Sequence, residues 1–224
     1  MKNSDFIVII PARKNSKRLK EKNTKLLNGK PLISYTIEYA IKYFIKENIW
    51  VNTNDQKVER IAKSYNIKVY KRKENLSTDK TSTSEVIVDQ IKDLEHKKIN
   101  FSTIILLQPT NPFRNNFDLQ KILKFYLSNK LNSLMTVSSA KLKLGSIDKL
   151  SFKPINYVFE QSSQNIDELY FENGQLYICN KKTIKDHKRL ISDDVYPYKT
   201  EGIESIVDID YQEDFDFAEL ILRK

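Results

Sequence analysis

The sequence predicts an α/β fold in which a largely parallel sheet is covered by helices on both faces. Three observations carry this expectation. Short apolar runs alternate with amphipathic stretches along most of the chain, the β-α-β-α order that generates parallel sheets. The first run, Phe6-Ile7-Val8-Ile9-Ile10, contains no polar residue, as a strand buried on both faces requires. The chain has 224 residues, of which 40% are hydrophobic and 30% charged, enough for one substantial core in a single domain spanning 1–224.

Taken in order, residues 5–10 read as a buried strand. After Asn28-Gly29-Lys30, Pro31 opens a helix that runs to about residue 44, because proline is tolerated in a first helical turn. Residues 49–52 are a strand, 56–65 a helix and 67–71 a strand. A helix follows over 82–94, capped by Thr81 or a neighbour. Residues 103–108 form a strongly apolar strand, 117–127 a helix and 133–137 a strand. Between about 138 and 170 the regularity fails. Short mixed apolar runs and Pro154 do not fit a helix of the main pattern. This stretch reads as an inserted β-rich arm used for dimerisation, since Leu142, Leu144, Phe152, Tyr157 and Phe159 would otherwise form an exposed apolar patch. The order resumes with a strand at 175–180, a helix at 182–187, a strand at 205–209 and a final helix at 213–222.

Composition narrows the function. Net charge is +9, from 38 basic and 29 acidic residues, but the basic residues are spread along the chain and only seven are arginine. That pattern describes a lysine-rich solvated surface better than a nucleic-acid footprint. No apolar run approaches the ~18–20 residues of a membrane span, and no small-residue cleavage site follows the first run. Cys179 is the single cysteine, and with His96 and His187 it leaves little material for a zinc site. The expectation is a cytoplasmic protein with neither nucleic acid nor membrane as partner. A non-enzymatic nucleic-acid binder is the rival from another class.

Three motifs carry chemistry. The loop after the first strand presents Arg13, Lys14, Lys17, Arg18, Lys20 and Lys22, at the carboxyl end where such sheets bind ligands. It contains no glycine, so it is neither a Walker loop nor a dinucleotide fingerprint. Its affinity for an anion must come from side chains and free backbone N–H groups. In Ser205-Ile206-Val207-Asp208-Ile209-Asp210, extended geometry would point Asp208 and Asp210 to one side and Val207 and Ile209 to the other. Two neighbouring carboxylates repel unless a cation joins them, and Mg²⁺ suits such a pair together with phosphate oxygens. Third, the apolar strand ending in Leu106-Leu107-Gln108 breaks at Pro109 and Pro112, leaving the Gln108 amide at the ligand edge.

PARKNSK at 11–17, KN at 22–23, NGKPLI at 28–33, LLQPTNPFR at 106–114, NGQLYI at 173–178 and DID at 208–210, in this order, resemble the acylneuraminate cytidylyltransferases, or CMP-sialic acid synthetases. The resemblance spans essentially the whole chain. It implies a Rossmann-like fold of the nucleotidyltransferase type and a homodimer. It also implies a reaction joining CTP and an acidic nine-carbon 2-keto sugar into a CMP-sugar and pyrophosphate, with Mg²⁺ as cofactor. On matching positions it implies catalytic roles for Arg13, Lys22, Asp208 and Asp210, with the two aspartates holding the metal. The nucleotide would be bound by Ala12, Arg13, Lys14, Asn15, Ser16, Asn23, Arg72 and Thr83, and the sugar by Gln108, Phe171 and Asn173. The same fold also serves enzymes for eight-carbon keto-acid sugars and sugar 1-phosphates. Phe171-Glu172-Asn173-Gly174 stands where family members acting on the common sialic acid have Arg-Pro-Asn-Gly. Without that arginine the expectation shifts toward a related acid such as legionaminic or pseudaminic acid. Lys141 and Lys143 are then the candidates to grip its carboxylate.

Overall fold

The computed structural model describes residues 5–14, 16–140 and 142–223. The chain begins with β1 (Phe6–Pro11), a small hairpin of β2 (Leu26–Leu27) and β3 (Lys30–Pro31), and α1 (Leu32–Tyr43). There follow β4 (Ile49–Thr53), α2 (Gln56–Ser64), β5 (Lys68–Lys71), α3 (Thr83–His96), β6 (Thr103–Leu106), α4 (Leu119–Ser128) and β7 (Ser133–Ala140). A second hairpin, β8 (Gly145–Asp148) and β9 (Ser151–Pro154), precedes β10 (Leu169–Asn180), α5 (Lys181–His187), β11 (Tyr196–Lys199) and α6 (Gln212–Leu222). Seven strands form one sheet in the order β11-β7-β10-β6-β1-β4-β5. β1 pairs in parallel with β4 and β6, β4 with β5, and β7 with β11. Among the described strands, β10 runs antiparallel to both of its neighbours, β6 and β7. This is the mainly parallel α/β fold the sequence predicts.

The period of two in β1 explains the two layers of helices. Phe6, Val8 and Ile10 enter one core with Ile33 and Ile37 of α1, Val58 of α2 and Ile122 of α4. Ile7 and Ile9 enter the opposite core with Ile87 and Ile91 of α3 and Ile184 of α5. Each such side chain stabilises the fold by roughly 1.5–3 kcal/mol on burial. Local chemistry sets the element ends. Ser82 Oγ accepts from the Glu85 N–H while the Glu85 carboxylate accepts from the Ser82 N–H, a reciprocal cap that starts α3. Asn28 and Gly29 both take positive φ, 47° and 77°, the two-residue turn that suits the β2–β3 hairpin.

Most expected elements appear within a few residues of their predicted limits, and two do not. The strand expected at 205–209 is absent. Ile203–Ile206 forms a 3₁₀ turn, and residues 207–210 run extended without joining the sheet. The place beside β7 is taken by β11, whose Tyr-Pro-Tyr-Lys sequence gives little strand signal. Proline is accommodated there because β11 lies at the sheet edge. β10 begins at Leu169, six residues earlier than predicted, and its first half pairs Leu169 with Ala140 and Phe171 with Ser138. The 138–170 excursion therefore starts and ends as an extension of the sheet, with the β8–β9 hairpin between. No helix among the described residues is long and apolar enough to cross a membrane.

Candidate active site

The carboxyl ends of β1 and β6, neighbours in the sheet, open into a cleft of about 700 Å³. It lies where the chain order reverses about β1, the place where open α/β sheets bind ligands. One wall is the loop after β1, with Arg13, Ser16, Lys17, Arg18, Lys22 and Asn23. The opposite wall is the tail segment with Asp208 and Asp210, and Gln108, Pro109 and Thr110 after β6 close the cleft between them. Arg72, Thr81 and Thr83 complete the side nearest β5 and α3.

A third apolar cluster brings the two long walls together. Leu19 of the loop packs with Leu27, Leu32, Phe113 and the tail residues Val207, Ile209 and Phe215. With Val207 and Ile209 turned inward, Asp208 and Asp210 face the cleft, as the alternating pattern predicted although no sheet holds them. One backbone bond, from the Ile209 N–H to the Thr110 carbonyl at 2.8 Å, ties the segment to the loop after β6. Lys22, 9% exposed, donates to the Ile209 carbonyl and to Asp210 Oδ1, both at 2.7 Å. Arg18 Nη1 reaches Asp210 Oδ2 at 2.5 Å.

The two aspartates titrate in opposite directions. Enclosure in the cleft pushes the Asp208 pKa above the ordinary carboxylate value; the Thr110 hydroxyl and Lys22 oppose the shift, and the Asp210 charge adds to it. Partial burial also pulls Asp210 upward, but Lys22 and Arg18 outweigh it and hold Asp210 below its ordinary value. Asp79 is a cleft residue that sequence reasoning missed. It accepts from Lys17 and, at 2.6 Å, from Arg13 Nη1, and the two cations hold its pKa down. Its signal was slight, a single carboxylate in the polar run Ser77-Thr78-Asp79-Lys80-Thr81-Ser82. Arg13, Lys17, Arg18 and Lys22 are thus each paired with Asp79 or Asp210.

Arg72 is buried, with Nε donating to Asn52 Oδ1 at 2.6 Å and Nη2 to the Asn52 carbonyl at 3.1 Å. Asn52 in turn donates to Gln90 Oε1 at 2.8 Å. Burial, then the nearby Arg13 charge, pulls the Arg72 pKa down to about 10, so it stays cationic at neutral pH.

Other expected site residues lie elsewhere. Ala12 is buried beneath the cleft, its N–H donated to the Asn52 carbonyl and its carbonyl taken by the Thr53 hydroxyl. Lys14 faces a neighbouring groove, with its N–H bonded to Asn54 Oδ1. Asn173 is fully enclosed. Its amide donates to Ser138 Oγ and Thr200 Oγ1, each at 2.7 Å, and its Oδ1 accepts from the Gln175 N–H, so it braces the β10 bulge instead of lining the cleft. Phe171 is 38% exposed in the first half of β10, paired with Ser138 of β7 and outside the residues that line the cleft. Lys143 folds back within the arm, donating to the Gln161 carbonyl and lying over the Tyr157 ring. Asn15 and Lys141 fall outside the described residues.

A parallel sheet whose ligand edge carries a glycine-free cation cradle opposite two carboxylates defines an α/β fold of the nucleotidyltransferase type. The chain belongs to the cytidylyltransferase family, whose model matches residues 7–223. It is 32% identical over 225 residues to the CMP-N,N'-diacetyllegionaminic acid synthase of Legionella pneumophila, covering 97% of this chain and 96% of that one. It is also 32% identical over 216 residues to the N-acylneuraminate cytidylyltransferase of Streptococcus agalactiae serotype III, covering 93% of this chain and 51% of that relative. The chain thus spans about half the length of that curated relative. A pseudaminic acid cytidylyltransferase of Campylobacter jejuni is 26% identical over 230 residues, with 97% and 96% covered. Among solved structures, a CMP:2-keto-3-deoxy-manno-octonic acid synthetase complexed with CTP superposes with a TM-score of 0.71 at 17% identity. That superposition covers 97% of this chain and 98% of the other, a likeness of fold.

Proposed function

We propose that the protein joins CTP to an acidic nine-carbon 2-keto sugar of the sialic, legionaminic or pseudaminic type, giving a CMP-sugar and pyrophosphate. The observation that carries this reading is the cleft itself, where Arg13, Lys17, Arg18 and Lys22 lie opposite Asp208 and Asp210, with Gln108 between the walls. Relatives whose names specify such acids match along nearly their full length.

In this reading the cations of the loop exchange Asp79 and Asp210 for the triphosphate. They neutralise its charge and aim the α-phosphorus at the anomeric hydroxyl of the sugar. That hydroxyl attacks in line and gives up its proton to solvent, a P–O bond to the sugar forms, the bond from the α-phosphorus to the bridging β-phosphate oxygen breaks, and pyrophosphate leaves. Positioning and electrostatic stabilisation supply most of the acceleration, as in other phosphoryl transfers. Asn23, buried with its amide 3.2 Å from the Arg13 carbonyl, holds the cradle's backbone in shape. Arg72 and Thr83 lie on the nucleoside side, and the Gln108 amide faces the sugar.

The donor set fits Mg²⁺. Enclosure in the cleft first, and the Asp210 charge second, raise the Asp208 pKa, and a bound cation would offset both. Among the described residues no group of three or more His, Cys, Asp and Glu is suited to hold a metal. A hard ion that accepts one or two carboxylates and takes other oxygens from phosphate matches two aspartates facing a nucleotide cleft. Asp208 and Asp210 would hold it, and bound there it would offset the charge developing on the phosphate oxygens.

The protein acts in the cytoplasm as a homodimer built on the 138–170 arm. Ile147, Val158 and Phe159 are 79%, 68% and 63% exposed, and Leu150 is fully exposed, a concentration of apolar surface that a partner copy would cover.

Pyrophosphate release from each of the four nucleoside triphosphates, with sialic, legionaminic, pseudaminic and eight-carbon acids as acceptors, tests the reading. Release with CTP and a nine-carbon acid is expected. Release with only an eight-carbon acid or a sugar 1-phosphate, or none together with salt-sensitive nucleic-acid binding, overturns it.

A further inference from the structure

Arg114 is 2% exposed, and among the described residues no carboxylate pairs with it. Its guanidinium is spent on neutral acceptors. Nε donates to the Gln175 carbonyl at 2.7 Å, Nη2 to the Gln108 carbonyl at 2.6 Å and Nη1 to Thr36 Oγ1 at 3.1 Å. Its carbon centre lies 5.7 Å from the centroid of the Tyr39 ring. Burial draws its pKa down to about 10, which still leaves it cationic at neutral pH. An unpaired buried cation is a costly way to fill a core, and an apolar side chain of similar volume would fill it more cheaply. The two carbonyls it joins belong to separate segments. Gln108 ends the run after β6 and lines the cleft, and Gln175 follows the glycine of the β10 bulge.

That glycine, Gly174, has φ of +72°, and a Cβ built on it would stand 2.8 Å from Gln108 Oε1. The Gln108 amide therefore rests over the bare Cα of Gly174, while Arg114 fixes the backbone of both neighbours. The Asn111 amide adds a second tie between the same segments, donating to the Asn173 carbonyl at 2.8 Å. We infer that Arg114 and Gly174 are positioning residues for the acceptor sugar, which set the direction in which the Gln108 amide enters the cleft. This inference rests on the proposed reading of Gln108 as a contact to the sugar. It also accounts for Asn173, which serves the site by holding the bulge.

The test is steady-state kinetics of Gly174→Ala, Arg114→Met, Arg114→Lys and Gln108→Ala, alone and with Gln108→Ala as the second change. Gly174→Ala and Arg114→Met are each expected to raise KM for the sugar acid about tenfold, the scale of one lost hydrogen bond, and to leave KM for CTP unchanged. Arg114→Lys, which keeps a donor but not the fork, should recover part of the loss. Each double variant should be no worse than Gln108→Ala alone. Losses that multiply in the double variants, or that fall equally on CTP, overturn the inference. If the Arg114 variants do not fold, Gly174→Ala decides, because it leaves the buried guanidinium in place. If no acid supports turnover in the unmodified protein, the proposed function has failed, and the placement is read separately from the side-chain amide resonances of Gln108 in labelled protein. Resonances displaced by Gly174→Ala uphold the positioning role, and unchanged ones reject it.

Discussion

Lys22 and Asp210, separated by 188 positions in the chain, meet at 2.7 Å across the mouth of the cleft. The contact joins the first loop to the last segment before α6, and both partners are residues proposed to act in the reaction. Lys22 also holds the Ile209 carbonyl, so one ammonium serves both the fold and the site.

Lys22→Met is therefore expected to lose both stability and turnover. The Ile209 carbonyl would lose its buried donor, at a cost of about 1–3 kcal/mol. Asp210 has a folded pKa below its unfolded value, so its contribution is present above about pH 4 and is lost as pH falls through the folded value. The stability gap between natural protein and variant should accordingly narrow in acid. Urea unfolding at neutral pH and at pH 3 measures this, and a gap that widens at low pH contradicts the assignment.

Asp208→Asn and Asp210→Asn should both abolish pyrophosphate release but should move ligand-free stability in opposite directions. Asp208 has a raised folded pKa, so its stabilising contribution is present below about pH 4 and is lost as pH rises through the folded value. At neutral pH the Asp208→Asn variant should melt higher than the natural protein. The Asp210→Asn variant, having lost the charged partner of Lys22 and Arg18, should melt lower. Melting scans without nucleotide, with activity measured at limiting Mg²⁺, check both halves. Full activity in both variants would remove the metal role.

Asp79→Asn should tighten CTP binding. Asp79 occupies Arg13 and Lys17, two cations proposed to meet the triphosphate. Releasing them from an exposed pair is expected to improve affinity by about two- to fivefold, with a steeper salt dependence. Calorimetric titration with CTP at two ionic strengths decides. Unchanged or weaker binding would show that Asp79 does not compete with the nucleotide.

Light scattering at micromolar concentration should report a dimer, and Leu150→Asp combined with Val158→Asp should convert it to a monomer that keeps its secondary structure. Both side chains are exposed on the arm, so the charges create no buried defect in the single chain. A natural protein that is already monomeric would leave the arm's apolar surface without the proposed role.

Local pattern in the sequence determined the sheet-and-helix order, because an unbroken apolar run such as Phe6–Ile10 and amphipathic spacing in the helices are direct consequences of which faces are buried. It also determined the cation-rich loop and the common side of Asp208 and Asp210, since alternating burial of Val207 and Ile209 needs only an extended backbone. The tertiary structure alone decided what that segment is. Its backbone bonds to Thr110 and its apolar side chains dock on α6 and the first loop, so it runs beside the sheet as an unpaired strand-like tail. The tertiary structure alone also turned Ala12 and Asn173 inward, placed Phe171 outside the cleft and set Asp79 on Arg13. Those outcomes depend on partners tens of residues away, such as Ser138 and Thr200 for Asn173, and no local period encodes such a pairing.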